Sequence, residues 1–268
     1  MKFTLGIIGA GVMANAILDR AAAKGAIDPA NTIIFDISTD ALNAMQKKGY
    51  RLAKSVQELL DSAENILLAV KPQHHAQILK NNSFINVKCL ISIMAGIKID
   101  AIKSLVDNKD IGVARIMPNT PCKIGKGFSA ICFDENIEPN SKKLVEDIFS
   151  SCGEILHIEE SLFDAVTSIS GSGPAYIYMF LNGMIKGGEE GGLSYDDAKK
   201  MAIATMIGAA ELARASDESM DTLIQKVCSK GGTTIEAVEH FRKNNLEEII
   251  SDGIKKCRLK SKKLSETL

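Results

Sequence analysis

Apolar positions along this chain fall into two textures. Before residue 155, short apolar runs alternate with stretches of helical spacing. Phe3, Leu5, Ile7 and Ile8 form the first run, followed by Thr32–Phe35, Asn65–Val70, Cys89–Ile93 and Gly112–Met117. These runs are short, rich in β-branched residues and nearly uninterrupted, the pattern of strands buried on both faces of a parallel sheet. Between them, residues 13–24 read as a helix stopped by Gly25, and residues 40–48 as a helix capped by Ser38 or Thr39 and stopped by Gly49. Ser55 and Glu58 have capping-box spacing and open another short helix. Alternation of this kind predicts a doubly wound α/β domain. From Ser161 the strand signal stops and helical spacing takes over. The Ser170–Tyr176 stretch starts or interrupts an apolar helix running to about Lys186, and Ser194 caps a second helix carrying Ala202, Ala204, Gly208, Ala209 and Ala210. Helices that are small or apolar nearly all round need cover, and a segment this short points to a partner subunit for part of it. The chain thus divides into residues 1–158 and an all-helical part, residues 159–268. Seven charged residues over Lys255–Leu268, with little apolar content after Leu259, predict a frayed tail there.

The chemistry starts where the first strand ends. Gly9, Gly11 and Ala14 form G-x-G-x-x-A between a predicted strand and a predicted helix. Glycines let the backbone turn sharply with no Cβ in the way, and the free N–H groups of the helix start favour a pyrophosphate. Asp36, closing the second strand, stands where an acidic residue bonds the adenosine ribose; capping its own turn through Ser38 is the alternative. Lys71 and the bare backbone of Met94-Ala95-Gly96 also follow strands, and ligands bind at such strand ends. Further on, Gly231-Gly232-Thr233-Thr234 opens the predicted helix over residues 235–243. Its N–H groups and two hydroxyls form either a small anion cradle or an ordinary turn.

Composition narrows the partners. In 268 residues, 46% hydrophobic and 24% charged, the net charge is -1. That excludes an electrostatic case for nucleic acid or an anionic membrane as main partner. The first apolar run is broken by glycines, so neither a signal peptide nor a membrane span is predicted. Six cysteines, none in C-x-x-C spacing, fit free thiols of a cytoplasmic protein and no metal. No catalytic histidine is expected; His74, His75, His157 and His240 read as surface residues.

Taken together these stretches resemble the pyrroline-5-carboxylate reductase family over essentially the whole chain. The resemblance rests on Gly6-x-x-Gly9-x-Gly11-x-Met13-Ala14, Ala69–Gln73, Arg115–Pro121, Ser170–Tyr176 and Ser229–Thr234. The last departs from the family's S-P-G-G-T-T at Lys230, where proline is usual. The resemblance implies a Rossmann-type domain followed by an all-α helical dimerisation domain, with higher oligomers built from dimers. It implies reduction of 1-pyrroline-5-carboxylate to L-proline by NADPH or NADH. Carried over by position, Ile8, Gly9, Ala10, Gly11, Val12 and Met13 meet the pyrophosphate. Ser38 joins Asp36 at the adenosine ribose, and Ala69, Val70, Lys71, Pro72, Ala95 and Gly96 flank the ribose and nicotinamide. Ser229, Gly231, Gly232, Thr233 and Thr234 hold the substrate, with the Thr234 hydroxyl at its nitrogen. Two other readings compete: a related hydroxyacid dehydrogenase or imine reductase with Lys186 or Lys199 as base, and a nonenzymatic dinucleotide-binding regulator.

Overall fold

The computed structural model describes residues 2–267, which divide into two compact units, residues 2–172 with 257–267, and residues 173–256. The first unit is built on one eight-stranded sheet: β1 (Phe3–Ile8), β2 (Thr32–Phe35), β3 (Arg51–Leu52), β4 (Ala63–Leu68), β5 (Cys89–Ser92), β6 (Gly112–Met117), β7 (Gly127–Phe133) and β8 (Gly153–His157). Their spatial order is 3-2-1-4-5-6-7-8, and the first six pair in parallel. That is the doubly wound Rossmann order, with its reversal between β1 and β4. β7 runs antiparallel to β6, and β8 runs parallel to β7.

Successive residues of each strand feed opposite faces. Ile7, Ile34, Leu67 and Ile91 pack on one side, with Ile17 and Leu18 of α1 (Val12–Ala23) and Val145, Ile148 and Phe149 of a later helix, Pro139–Ser151. Ile8, Ile33, Ile66, Leu68 and Leu90 pack on the other, against Leu59 and Leu60 of Val56–Ser62, Leu79 of His75–Lys80 and Ile102 of Ile99–Leu105. Burial of each such side chain contributes about 1.5–3 kcal/mol, so this alternation sets strand register as well as stability. In chain order the remaining helices of this part are α2 (Thr39–Lys47), α3 (Val56–Ser62), α4 (His75–Lys80), α5 (Ile99–Leu105), α6 (Pro139–Ser151) and α7 (Phe163–Val166). Ser38 and Ser55 cap α2 and α3 by accepting the Ala41 and Glu58 N–H groups. A π-helical turn, Thr167–Gly171, follows α7.

The second unit holds α8 (Gly173–Glu190), α9 (Tyr195–Arg214), α10 (Met220–Val227) and α11 (Thr233–Lys243). α8 and α9 pack through Ile185, Ala198 and Ala202, and a Cβ at Gly188 would lie 2.9 Å from that of Ala198. Tyr178, Met179, Met201, Ile207 and Leu212 of these helices stay exposed. α12 (Leu246–Thr267) then runs without a break, which corrects the expectation of a frayed tail. Ile254, Cys257, Ser261 and Ser265 form one stripe along it, each at least half-buried. Ser261 and Ser265 both donate to Asp164 Oδ1, at 2.6 and 3.3 Å. Past Ile254 the stripe is made of small residues, two of them serines, which give little hydrophobic signal, so its packing was hidden from the apolar pattern. Among the described residues no helix is long and apolar enough to cross a membrane.

Candidate active site

The strand register brings the predicted cofactor residues to one edge of the sheet. Ile8 lies level with Phe35 and Leu68, and Leu68 with Ser92. The next residues, Gly9, Asp36, Ala69 and Ile93, therefore sit at the carboxyl ends of neighbouring strands. Gly9 has φ +99°, and a Cβ there would stand 2.8 Å from the Ala69 carbonyl oxygen, so only glycine fits. Gly11 is different. Apart from its own chain neighbours, no described atom lies within 4 Å of a Cβ placed on it. Its bareness leaves open space in front of α1, whose N-cap it is and which has no side-chain cap and no acidic residue in its first turn. Asn15 Nδ2 donates to the carbonyls of Ala10 and Gly11 at 2.7 and 3.1 Å, which fixes the loop with the helix N–H groups free to meet an anion. This cradle fits a dinucleotide pyrophosphate.

Asp36 is half-buried, and both its oxygens are engaged. Ala10 N–H donates to Oδ2 at 2.6 Å and Ser38 N–H to Oδ1 at 2.7 Å. The carboxylate thus closes its own turn and also pins the glycine loop. Each oxygen keeps a second lone pair for a ribose hydroxyl. Ser38 Oγ meanwhile caps α2. The stretch Asp36–Asp40 holds two carboxylates and no cation, and Ile37 is 93% exposed.

Beyond β4, Ala69 and Val70 are half-buried and Lys71 is exposed. Pro72–His74 forms a single tight turn, and the His75 ring Nδ1 lies 2.7 Å from the Pro72 carbonyl oxygen. His75 is 5% exposed, which corrects its assignment to the surface: its imidazole braces this turn. Ala95 and Gly96 follow β5, with Gly96 at φ +80° and Ser92 Oγ accepting the Met94 N–H.

Ser229–Thr234 lies in the second unit. Gly231 takes φ +72°, Gly232 N–H donates to the Ser229 carbonyl at 3.0 Å, and a Cβ on Gly232 would collide with Ser229 Oγ. Gly232 is the N-cap of α11 and no side chain caps it. Apart from its own chain neighbours, no described atom lies within 4 Å of a Cβ built on Gly231. Thr234 is half-buried one residue inside the helix, while Ser229, Lys230 and Thr233 are exposed. Lys186 and Lys199 are exposed, and Lys199 Nζ sits 5.8 Å from the Tyr195 ring centre.

Two groups escaped the sequence reading. Arg115 is 5% exposed, with Nη1 2.9 Å from Glu160 Oε1 and its guanidinium over the Phe163 ring; the same Glu160 oxygen accepts Ile99 N–H. Asn119 donates to Ser170 and accepts from Phe128. The signal for Asn119 was present in its setting, a polar residue fixed between Pro118 and Pro121 at a strand end. Nothing in the spacing pointed from Arg115 to Glu160, 45 positions away.

Comparison with known proteins finds two matching family models. A family model described as pyrroline-5-carboxylate reductase dimerisation matches residues 160–264, and one described as NADP oxidoreductase, coenzyme F420-dependent, matches residues 4–96. The pyrroline-5-carboxylate reductase of Synechocystis sp. is 35% identical over 268 residues, covering 99% of this chain and 100% of that protein. The chain belongs to the pyrroline-5-carboxylate reductase family. The relative of that name from Aquifex aeolicus is 33% identical, with 98% of each chain covered. A solved structure, Plasmodium falciparum pyrroline carboxylate reductase with NADP bound, superposes with a TM-score of 0.90 at 31% identity over 98% of both chains. An Aspergillus terreus reductive aminase at 15% identity and TM-score 0.62 shares the fold alone. The helical unit lies within the family's dimerisation domain, which accounts for apolar side chains left exposed on α8 and α9.

Proposed function

We propose that this chain reduces the C=N bond of 1-pyrroline-5-carboxylate to give L-proline, the last step of proline biosynthesis, with NADPH or NADH as reductant. The observation that carries the reading is the uncapped start of α11, open at Gly231 and flanked by Thr233 and Thr234, in a chain that matches the family end to end. A small ring with one carboxylate needs N–H donors without a heavy counter-charge, and a helix N-terminus supplies them. Ser229, Gly231, Gly232 and Thr233 bind that carboxylate.

The reduced dinucleotide, when bound, supplies the hydride. The Gly9–Met13 loop and α1 hold its pyrophosphate, Asp36 and Ser38 the adenosine ribose, and Ala69–Pro72 with Ala95 and Gly96 the ribose and nicotinamide. Hydride addition at the carbon of the protonated C=N bond leaves a neutral ring amine, which takes up one more proton to become the ammonium of L-proline. The Thr234 hydroxyl hydrogen-bonds that nitrogen and passes it a proton from water. No titratable dyad is needed, because the iminium form is already activated. Holding two reactants in place supplies roughly 7–11 kcal/mol of a barrier. The active form is a dimer through α8 and α9, able to build larger assemblies, and works in the cytoplasm.

Thr234→Val tests the assignment, since it keeps shape and removes one hydroxyl. If Thr234 relays the proton, kcat falls roughly 10²-fold, whereas an orienting role alone raises KM with kcat nearly kept. NAD(P)H affinity stays at the wild-type value in both cases. Wild-type kcat and KM in a folded Thr234→Val protein would remove the cradle from the account.

A further inference from the structure

Lys48 is the C-cap of α2 and lies 33 positions beyond Asn15. Its ammonium Nζ donates to Asn15 Oδ1 at 3.0 Å and to Asp19 Oδ1 at 2.6 Å. Asn15 and Asp19 stand one turn apart on one face of α1, so a single cation spans both. The chain behind it is held as well. Gly49 turns at φ +91°, and buried Tyr50 donates its hydroxyl to the Leu18 carbonyl of α1 at 3.3 Å. An exposed ion pair stabilises a fold little; this one orients an amide.

An asparagine amide is an acceptor on one side and a donor on the other. Turned round, it would set its oxygen against the Ala10 and Gly11 carbonyls, acceptor against acceptor. An ammonium can only donate, so Lys48 keeps Oδ1 on its own side and Nδ2 on the glycine loop. Nδ2 donates to the Ala10 and Gly11 carbonyls, and a cation on Oδ1 makes it the better donor. The loop is held a second time from β2 and the residue after it. Gly9 N–H donates to the Phe35 carbonyl at 2.9 Å, and Ala10 N–H to Asp36 Oδ2. Ala10 is thus gripped by its N–H and its carbonyl at once, and the start of α1 keeps its N–H groups open to an anion.

We propose that Lys48, acting through the Asn15 amide, is a positioning residue for the cofactor pyrophosphate. Its ammonium is engaged by Asn15 and Asp19, and its effect reaches the phosphates through the shape of the loop. All the groups involved lie in the sheet-bearing unit. The inference rests on the assignment of Gly9–Met13 as the pyrophosphate loop. A loop already in its bound shape spares the cofactor the cost of ordering it. The pyrophosphate is common to NADH and NADPH, so both lose affinity by the same factor when Lys48 is replaced.

Isothermal titration of the purified protein with NADPH and with NADH tests this, together with amide hydrogen exchange over residues 9–15 in the absence of cofactor. Lys48→Met keeps most of the side chain and removes the charge, and at an exposed position it leaves the fold intact. Kd rises about three- to tenfold for both cofactors, and exchange over residues 9–15 quickens. Asn15→Ala raises Kd at least as much. Adding Lys48→Met to Asn15→Ala then changes Kd less than about twofold, because the route is already cut. Lys47→Met removes the same charge one residue away and leaves Kd within about twofold of wild type. An equal rise in Lys47→Met, or the full effect of Lys48→Met persisting without Asn15, would mean plain attraction between lysine and phosphate and would overturn the proposal. Unchanged Kd and exchange in Lys48→Met would overturn it too. Gly11→Val separates this proposal from the loop assignment. Gly11 has φ -71°, which valine tolerates, and its Cβ enters the open space in front of α1. Wild-type affinity in Gly11→Val rejects the loop itself, whereas lost affinity there with silence at Lys48 rejects the positioning role alone.

Discussion

Asp36 has both carboxylate oxygens committed to backbone N–H groups, one of them in the glycine loop. Its removal therefore does two things. It loosens the loop, weakening both cofactors, and it takes away a charge that repels a 2′-phosphate. Two unit charges about 4 Å apart in partly wet surroundings interact by roughly 1–4 kcal/mol. Asp36→Ala is expected to raise Kd for NADH and NADPH while shifting the ratio of kcat/KM toward NADPH by about tenfold, a change of ~1.4 kcal/mol. Steady-state kinetics with both cofactors checks it, and an unchanged ratio would leave Asp36 as a loop anchor only. Wild type is expected to use NADH well, since residues 36–40 offer a 2′-phosphate no cation. At Gly9, φ +99° and the Ala69 carbonyl leave no room for a methyl group. Gly9→Ala should destabilise by about 1–3 kcal/mol and abolish NAD(P)H binding, as read by thermal unfolding with and without cofactor.

At the scale of elements, the Rossmann half was legible because its signals are redundant. β1, the glycine turn and α1 each announce themselves, and Ser38 and Ser55 cap the helices their spacing predicted. β7 and β8 were not singled out. β7 reverses direction after a short 3₁₀ helix, Thr120–Ile124, and β8 is half exposed, so neither shows the near-continuous apolar run of a central strand. α12 was misread for the opposite reason: its charges are real, but Ser261 and Ser265 secure it to Asp164. His75 was misread because a polar ring gives no sign that a neighbouring carbonyl has satisfied it. The packed reading of α12 is testable. Ser261→Ala should cost about 0.5–1.5 kcal/mol, measured by urea unfolding. A truncated chain ending at residue 255 should lose much more, whereas a frayed tail would lose nothing.

For the whole molecule, the family's dimerisation domain and the exposed Tyr178, Met179, Met201, Ile207 and Leu212 belong to one argument. A helix pair with this much uncovered apolar surface is completed by a second copy. Light scattering at micromolar concentration should find no stable folded monomer, and Ile207→Asp should lower the association constant and the thermal stability together. The site follows the same division of labour. The edge of the sheet was readable from strand ends and glycines, and the start of α11 from Gly231-Gly232-Thr233-Thr234. The contacts of Asn119 with Ser170 and of Arg115 with Glu160 were not, because those partners lie 51 and 45 positions away in sequence.

The central claim is that this chain converts 1-pyrroline-5-carboxylate to L-proline at the expense of a reduced nicotinamide. The purified protein, given the substrate and either NADPH or NADH, should consume reductant and form L-proline in equal amounts. Formation of no L-proline by a folded protein that binds NAD(P)H would contradict the account.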